Sequence, residues 1–201
     1  MTAPKSIVLA SQSPRRAALL KGLGLDFDII PSDIEEIRRP DEQPVDFARR
    51  AALEKGQEVC ERLRHRGRTP WIISADTIVV LGDRVLLKPK DNAEAHEMMS
   101  ALEGRTHQVI TGWAIGRADT RFRVEHNETD VTFHPLSKGE ITRYVDTKEG
   151  LDKAGAYAIQ GIGAYLVSEI KGNYFNVVGL PVSHVARALV RAGALPYYPL
   201  T

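Results

Sequence analysis

Apolar positions along the chain alternate between two patterns. Short runs at Ser6 to Ala10 and Phe27 to Ile30 read as strands, and Trp71 to Leu81, rich in Ile and Val, has the length of a buried strand. Between the first two lies Ser11-Gln12-Ser13-Pro14-Arg15-Arg16, then an apolar-periodic helix to about Lys21 that Gly22 and Gly24 end. A polar loop with two prolines leads to Pro44. From there to about Leu63 the period is again helical, with Arg, Glu and Lys on the outer face.

The turn Gly82-Asp83-Arg84 predicts a hairpin with a strand at Val85 to Leu87. A helix follows from Asp91 to Leu102, capped by Asp91 or Asn92. His107 to Arg117 and Arg121 to Phe133 alternate as paired antiparallel strands across Ala118-Asp119-Thr120. Ser137 to Val145 reads as a helix, Ala164 to Ile170 as a strand, and Val182 to Arg191 as a last helix entered through Pro181. Strands that alternate with helices, then a meander, predict an α/β fold around a mixed central sheet flanked by helices. The 201 residues show no repeat or linker and predict a single domain over 1–201.

Composition narrows the function. Lys and Arg number 27 against 26 Asp and Glu, so no global field draws in a polyanion, and nucleic acid is not the expected partner. A small anion needs only local positive charge. No apolar run has transmembrane length, and the one after Lys5 is too short for a signal-peptide core, so no membrane partner is expected and the expected location is cytoplasmic. Cys60 is the only cysteine; it lies at an apolar position of a helix and reads as a small core residue. The six histidines are dispersed, without metal-type spacing, and neither a Walker-type loop nor a dinucleotide fingerprint is present.

Four places point to chemistry. Ser13 can cap the first helix and Pro14 suits its first position, leaving a helix N-terminus that accepts phosphate, with Arg15 and Arg16 adding two guanidinium groups. The same residues also describe a well-capped surface helix. Asp76, in Ser74-Ala75-Asp76-Thr77, lies inside an apolar strand, where a carboxylate costs much unless paired; it is a candidate metal ligand or general base, or else a turn cap. Lys55, Lys88 and Lys90 are phosphate-sized cations or plain surface lysines. Glu35-Glu36 can hold a divalent cation or be a solvated acidic loop. In the fourth, Asp152 to Gly161, small residues allow close backbone approach and Gln160 can read a base edge. A plain Gly-rich turn looks the same.

Taken together these segments resemble the Maf family of nucleotide pyrophosphatases over nearly the whole chain. The resemblance rests on Ala10 to Arg16, Ser74 to Val79, Lys88-Pro89-Lys90-Asp91, Gly104 to Val109, Asp152 to Gly161 and Asn176 to Pro181. It implies an elongated two-lobed fold similar to that of inosine triphosphate pyrophosphatases, with a nucleotide in the cleft, and a homodimer. The block ending at Gln160 looks like that of the subgroup hydrolysing dTTP and UTP to the monophosphate and pyrophosphate. Carried over, Asp76 matches the catalytic acid-base position, Arg15, Thr77 and Gln160 the positions that set substrate preference, and Arg16, Lys55 and Lys88 phosphate contacts beside Ser13. Asp76 and Glu36 match the carboxylates near a divalent cation, Mg²⁺ or Mn²⁺. Gly56 departs from the pattern, which commonly has alanine after the lysine. The resemblance also leaves two other readings: a nucleotide-binding regulator of septum formation, and a pyrophosphatase for modified nucleotides.

Overall fold

A computed structural model describes residues 6–198. Its elements run β1 (Ile7–Leu9), α1 (Pro14–Gly22), β2 (Asp28–Ile29), α2 (Pro44–Arg64), β3 (Trp71–Leu81), β4 (Arg84–Leu86), α3 (Asn92–Leu102), β5 (Thr106–Gly116), β6 (Arg123–Phe133), α4 (Lys138–Asp146), β7 (Val167–Lys171), α5 (Tyr174–Val178) and α6 (Val182–Arg191). Seven strands form one sheet in the order β2-β1-β3-β5-β6-β7, with β4 on β3. The pairs β1–β2 and β1–β3 are parallel, and β3–β4 and β6–β7 antiparallel, so the sheet is mixed. The described residues divide into two compact units, one of 6–76, 111–127 and 179–198, the other of 77–110 and 128–178.

In the first unit both faces of the sheet are covered, which is why β1 and the first half of β3 read as unbroken apolar runs. Successive strand residues point to opposite faces. Ile7, Leu9, Ile73 and Ala75 join Ala17 and Leu20 of α1 and Val185, Ala188 and Leu189 of α6 in one core. Val8, Ala10 and Ile72 join Val59, Cys60 and Leu63 of α2 in another, which places Cys60 as expected. The second unit has its own core, in which Val79, Leu81, Val131 and Phe133 pack with α3 and α4.

Caps fix where the helices begin. Ser13 Oγ accepts the Arg16 N–H and Pro14 opens α1. Asp91, not Asn92, caps α3 by accepting the Glu94 N–H at 2.9 Å. Ser137 and Glu140 form a reciprocal capping box on α4. The hairpin turn is tighter than expected: Leu81 pairs with Arg84, so Arg84 is a strand residue and Gly82, at φ 59°, takes the left-handed position.

Three sequence expectations are corrected. The strand placed at Ala164 begins at Val167, because 161–166 form a 3₁₀ turn that starts at Gly161 in the left-handed region (φ 71°). The strand placed at Phe27 to Ile30 is shorter, Asp28–Ile29, although the Ile30 N–H still donates to the Leu9 carbonyl at 3.1 Å and Phe27 and Ile30 pack on opposite faces of the sheet. Helix α5 went unforeseen, five residues being too few to show a period. The N-terminal residues before Ser6 and the final part of the C-terminal stretch Leu195 to Leu200 lie outside the described residues.

Candidate active site

The parity of β3 builds the site. Residues 72, 74 and 76 face α2, and Ser74 Oγ donates to the Ala52 carbonyl at 2.7 Å on that helix. The same face of α2 buries Ala52, Lys55, Gly56, Val59 and Leu63, spaced three and four apart. Asp76 and Lys55 therefore meet. Lys55 Nζ donates to Asp76 Oδ1 at 2.7 Å and also to Glu36 Oε1. Asp76 is 3% exposed and Lys55 8%, so a charged pair sits at core depth with a second carboxylate on its ammonium. Burial pushes the Asp76 carboxyl above its ordinary range; the Lys55 ammonium opposes this, Glu36 adds to it, and Arg16 opposes it more weakly.

Glu36 comes from a loop that α2 itself holds. Arg50 makes a two-pronged contact with the Glu42 carboxylate at 2.6 and 2.7 Å and donates to the Ile37 carbonyl at 2.9 Å. That guanidinium draws the Glu42 carboxyl down to about 2. Glu35 next door is exposed, so of the two adjacent acids Glu36 is the one at the site.

Arg16 lies in the first turn of α1 and is 9% exposed. Its Nε donates to the Gly179 carbonyl at 2.8 Å and its Nη1 to Ser11 Oγ at 3.1 Å, while Ser11 Oγ also accepts the Ser13 N–H at 3.2 Å. Burial lowers the Arg16 pKa, and Asp76 and Glu36 counter that by their charge. Arg15 is half-buried beside it. Sequence reasoning missed Ser11 and Gly179 as supports of Arg16. Both lay in segments singled out above: Ser11 is five residues from Arg16 in the same segment, whereas nothing local marks the Gly179 carbonyl, 163 residues away, as its acceptor.

The first unit thus gathers Asp76, Lys55, Glu36 and Arg16, with Ser13 and Arg15 on the same helix entry. Thr77, Lys88 and Gln160 belong to the second unit. There the segment leading to Gln160 docks on the strand that carries Thr77: a Cβ on Gly155 would meet the Val79 side chain at 2.9 Å, and the Gly155 N–H donates to the Leu87 carbonyl, next to Lys88. Lys88 and Gln160 are exposed and Thr77 half-buried. Within the same block Tyr157 hydrogen-bonds His107 Nε2 at 2.8 Å, and Phe133 meets both rings edge-on. Burial lowers the His107 pKa to about 4, which keeps the ring neutral at pH 7.

The donor set suits a divalent cation. Asp76 Oδ2 is buried and accepts no hydrogen bond, an unsatisfied acceptor of the hard kind that Mg²⁺ and Mn²⁺ prefer. Among the described residues no three His, Cys, Asp or Glu side chains gather. A cation on Asp76 and Glu36 would therefore draw its remaining ligands from water and phosphate oxygens, which is how Mg²⁺ is commonly held.

Fold and site define an α/β protein whose distinctive chemistry is a buried acid–ammonium–acid group beside an arginine-bearing helix N-terminus. The chain belongs to the family described as Maf-like protein, whose model matches residues 6–192. Its relatives include a dTTP/UTP pyrophosphatase of Thermoanaerobacter sp. (strain X514), 47% identical over 92% of this chain and 95% of that one. Another dTTP/UTP pyrophosphatase, from Geobacter sulfurreducens (strain ATCC 51573 / DSM 12127 / PCA), is 48% identical over 94% and 97%. A solved dITP/XTP pyrophosphatase from Mycobacterium abscessus aligns over 94% of this chain and 97% of its own, at 16% identity and a TM-score of 0.42. Among the described residues no helix is long and apolar enough to cross a membrane.

Proposed function

We propose that this protein hydrolyses dTTP and UTP to the nucleoside monophosphate and pyrophosphate. Relatives that carry this activity in their names match it over nearly their full length. The observation that carries the chemistry is Asp76, a core-depth carboxylate with one oxygen on Lys55 and the other unsatisfied.

Water attacks the α-phosphorus as Asp76 takes its proton, and the bond from that phosphorus to the α–β bridging oxygen breaks to release pyrophosphate. A carboxylate whose proton affinity burial has raised is better suited to that task than one in water. Asp76 and Glu36 would hold Mg²⁺ or Mn²⁺, which would supply Lewis-acid charge to the reaction. Ser13, Arg16 and the α1 N-terminus, with Lys88, bind phosphate oxygens, and Lys55 adds to the positive charge while orienting Asp76. Arg15, Thr77 and Gln160 set the preference for the base. The reading extends to a homodimer working in the cytoplasm, which sedimentation and cell fractionation test.

The decisive assay incubates the protein with Mg²⁺ or Mn²⁺ and dTTP, UTP, CTP, GTP, ATP or methylated GTP and resolves the products. Monophosphate and pyrophosphate from dTTP and UTP are expected, with Asp76→Asn binding nucleotide but not turning it over. Free phosphate as the first product, or Asp76→Asn within threefold of wild type, would overturn the mechanism.

A further inference from the structure

The second unit contains a clamp around Gln160 that no role assigned so far explains. Gln160 is exposed at the head of the 3₁₀ turn, and the backbone on both sides of it is tied to two side chains. Glu149 Oε1 accepts the Ile162 N–H at 3.0 Å and its Oε2 accepts the Gly163 N–H at 2.8 Å. Tyr144 Oη donates to Glu149 Oε2 at 3.2 Å and accepts the Ala158 N–H at 3.0 Å. One carboxylate and one phenol therefore fix residues 158, 162 and 163, with Gln160 between them.

Gly161 fits the same arrangement. Its φ of 71° favours glycine, and a Cβ there would meet Glu149 Oε1 at 2.2 Å, so the carboxylate lies directly against the backbone next to Gln160. Hydrogen bonds from backbone N–H groups to a carboxylate are stronger than neutral ones, and a side chain on an unsupported turn loses defined geometry quickly. Tyr144 is also buried in the core of this unit, which ties the clamp to a rigid element.

We infer that Glu149, with Tyr144, is a positioning residue for base selection: it holds the turn that presents Gln160 and so sets how sharply the enzyme discriminates among bases. This rests on the base-reading role of Gln160 proposed above. Glu149 need touch neither the base nor the phosphates for this.

The test compares kcat and KM of wild type, Glu149→Ala, Glu149→Gln and Tyr144→Phe for UTP and CTP, alongside amide hydrogen exchange over 158–163. Glu149→Gln keeps the size of the side chain but only one acceptor oxygen, so it serves if the alanine variant folds poorly. The expected result is faster exchange confined to 158–163 and a fall of about tenfold in the UTP-over-CTP ratio of kcat/KM, carried mainly by KM for UTP, with Glu149→Gln intermediate. An unchanged ratio in a variant with a loosened turn would overturn the inference and leave the proposed activity standing. An equal loss for every nucleotide would also overturn it, as general structural damage. A wild type that hydrolyses neither UTP nor dTTP would sink the proposed activity, and this inference with it.

Discussion

Lys55 is held by two carboxylates at a depth where a lone charge is costly, and that makes the group sensitive to the loss of any one member. Lys55→Met would leave Asp76 and Glu36 facing each other without the ammonium that bonds both and is expected to cost about 3 kcal/mol in urea unfolding. Adding Asp76→Asn to it should recover a good part of that loss, because one of the two repelling charges goes; an additive double variant would show that the ion group contributes little. His107 offers a separate test through pH. Its folded pKa of about 4 lies below the roughly 6.5 of an unfolded histidine, so between those values the unfolded chain takes up a proton that the folded chain refuses. Above pH 6.5 the ring contributes no pH dependence; as pH falls towards 4 stability drops by up to about 3 kcal/mol. His107→Phe, though weaker at neutral pH for want of the Tyr157 bond, should show a flatter fall in melting temperature from pH 7 to 4.5, and an identical slope would refute the assignment. Of these residues Asp76 was legible in the sequence, since a carboxylate inside an apolar run declares its desolvation cost. His107 was not, because its hydrogen-bond partner Tyr157 lies far along the chain, and a histidine in an alternating strand looks like any half-exposed one.

At the level of elements, periodicity located the strands and helices wherever both faces of an element had settled environments. The limits of β3 and α6 agree with the sequence reading, and α1, α3 and α4 begin at the caps that their Ser and Asp residues announce. It misjudged 161–166, where side chains of α4 and of the turn after it, not local propensity, decide the backbone, while the strand that follows over 167–171 was largely foreseen. The glycine after Lys55 shows the same dependence on neighbours. A Cβ on Gly56 would lie 2.6 Å from Ser74 Oγ and 2.8 Å from Phe122 Cε1, so in this chain α2 approaches β3 more closely than alanine would allow. Ser74 is fixed by its bond to the Ala52 carbonyl, leaving Phe122 as the group able to move. Gly56→Ala is therefore expected to destabilise by about 1–3 kcal/mol despite alanine's better helix propensity, with Phe122→Leu relieving part of the cost. Thermal melts of the two single variants and the double decide it: a stabilised Gly56→Ala would mean that the helix simply shifts outward.

For the whole molecule, near-neutrality has a consequence for how a substrate is captured. With 27 basic against 26 acidic side chains the chain offers a triphosphate little long-range attraction, so binding energy must come from the few cations and backbone donors that touch it. Those contacts exist only in the folded protein, and a ligand that binds only the folded state stabilises it by mass action, by about 2.7 kcal/mol at a hundred times Kd. For a chain of this size that corresponds to a rise of roughly 5–10 °C in melting temperature. Asp76→Asn, which should bind without consuming the ligand, is the form in which to measure it. With Mn²⁺ present, dTTP and UTP are expected to raise its melting point by that amount, GTP and ATP by clearly less, and each nucleotide's shift should shrink without the metal. Arg16→Ala in the same background should reduce the shift for all nucleotides alike, since phosphate contacts are blind to the base, whereas Gln160→Ala should narrow the difference between them. If Gln160→Ala instead lowered every shift equally, Gln160 would join the phosphate contacts and base preference would have to be set elsewhere.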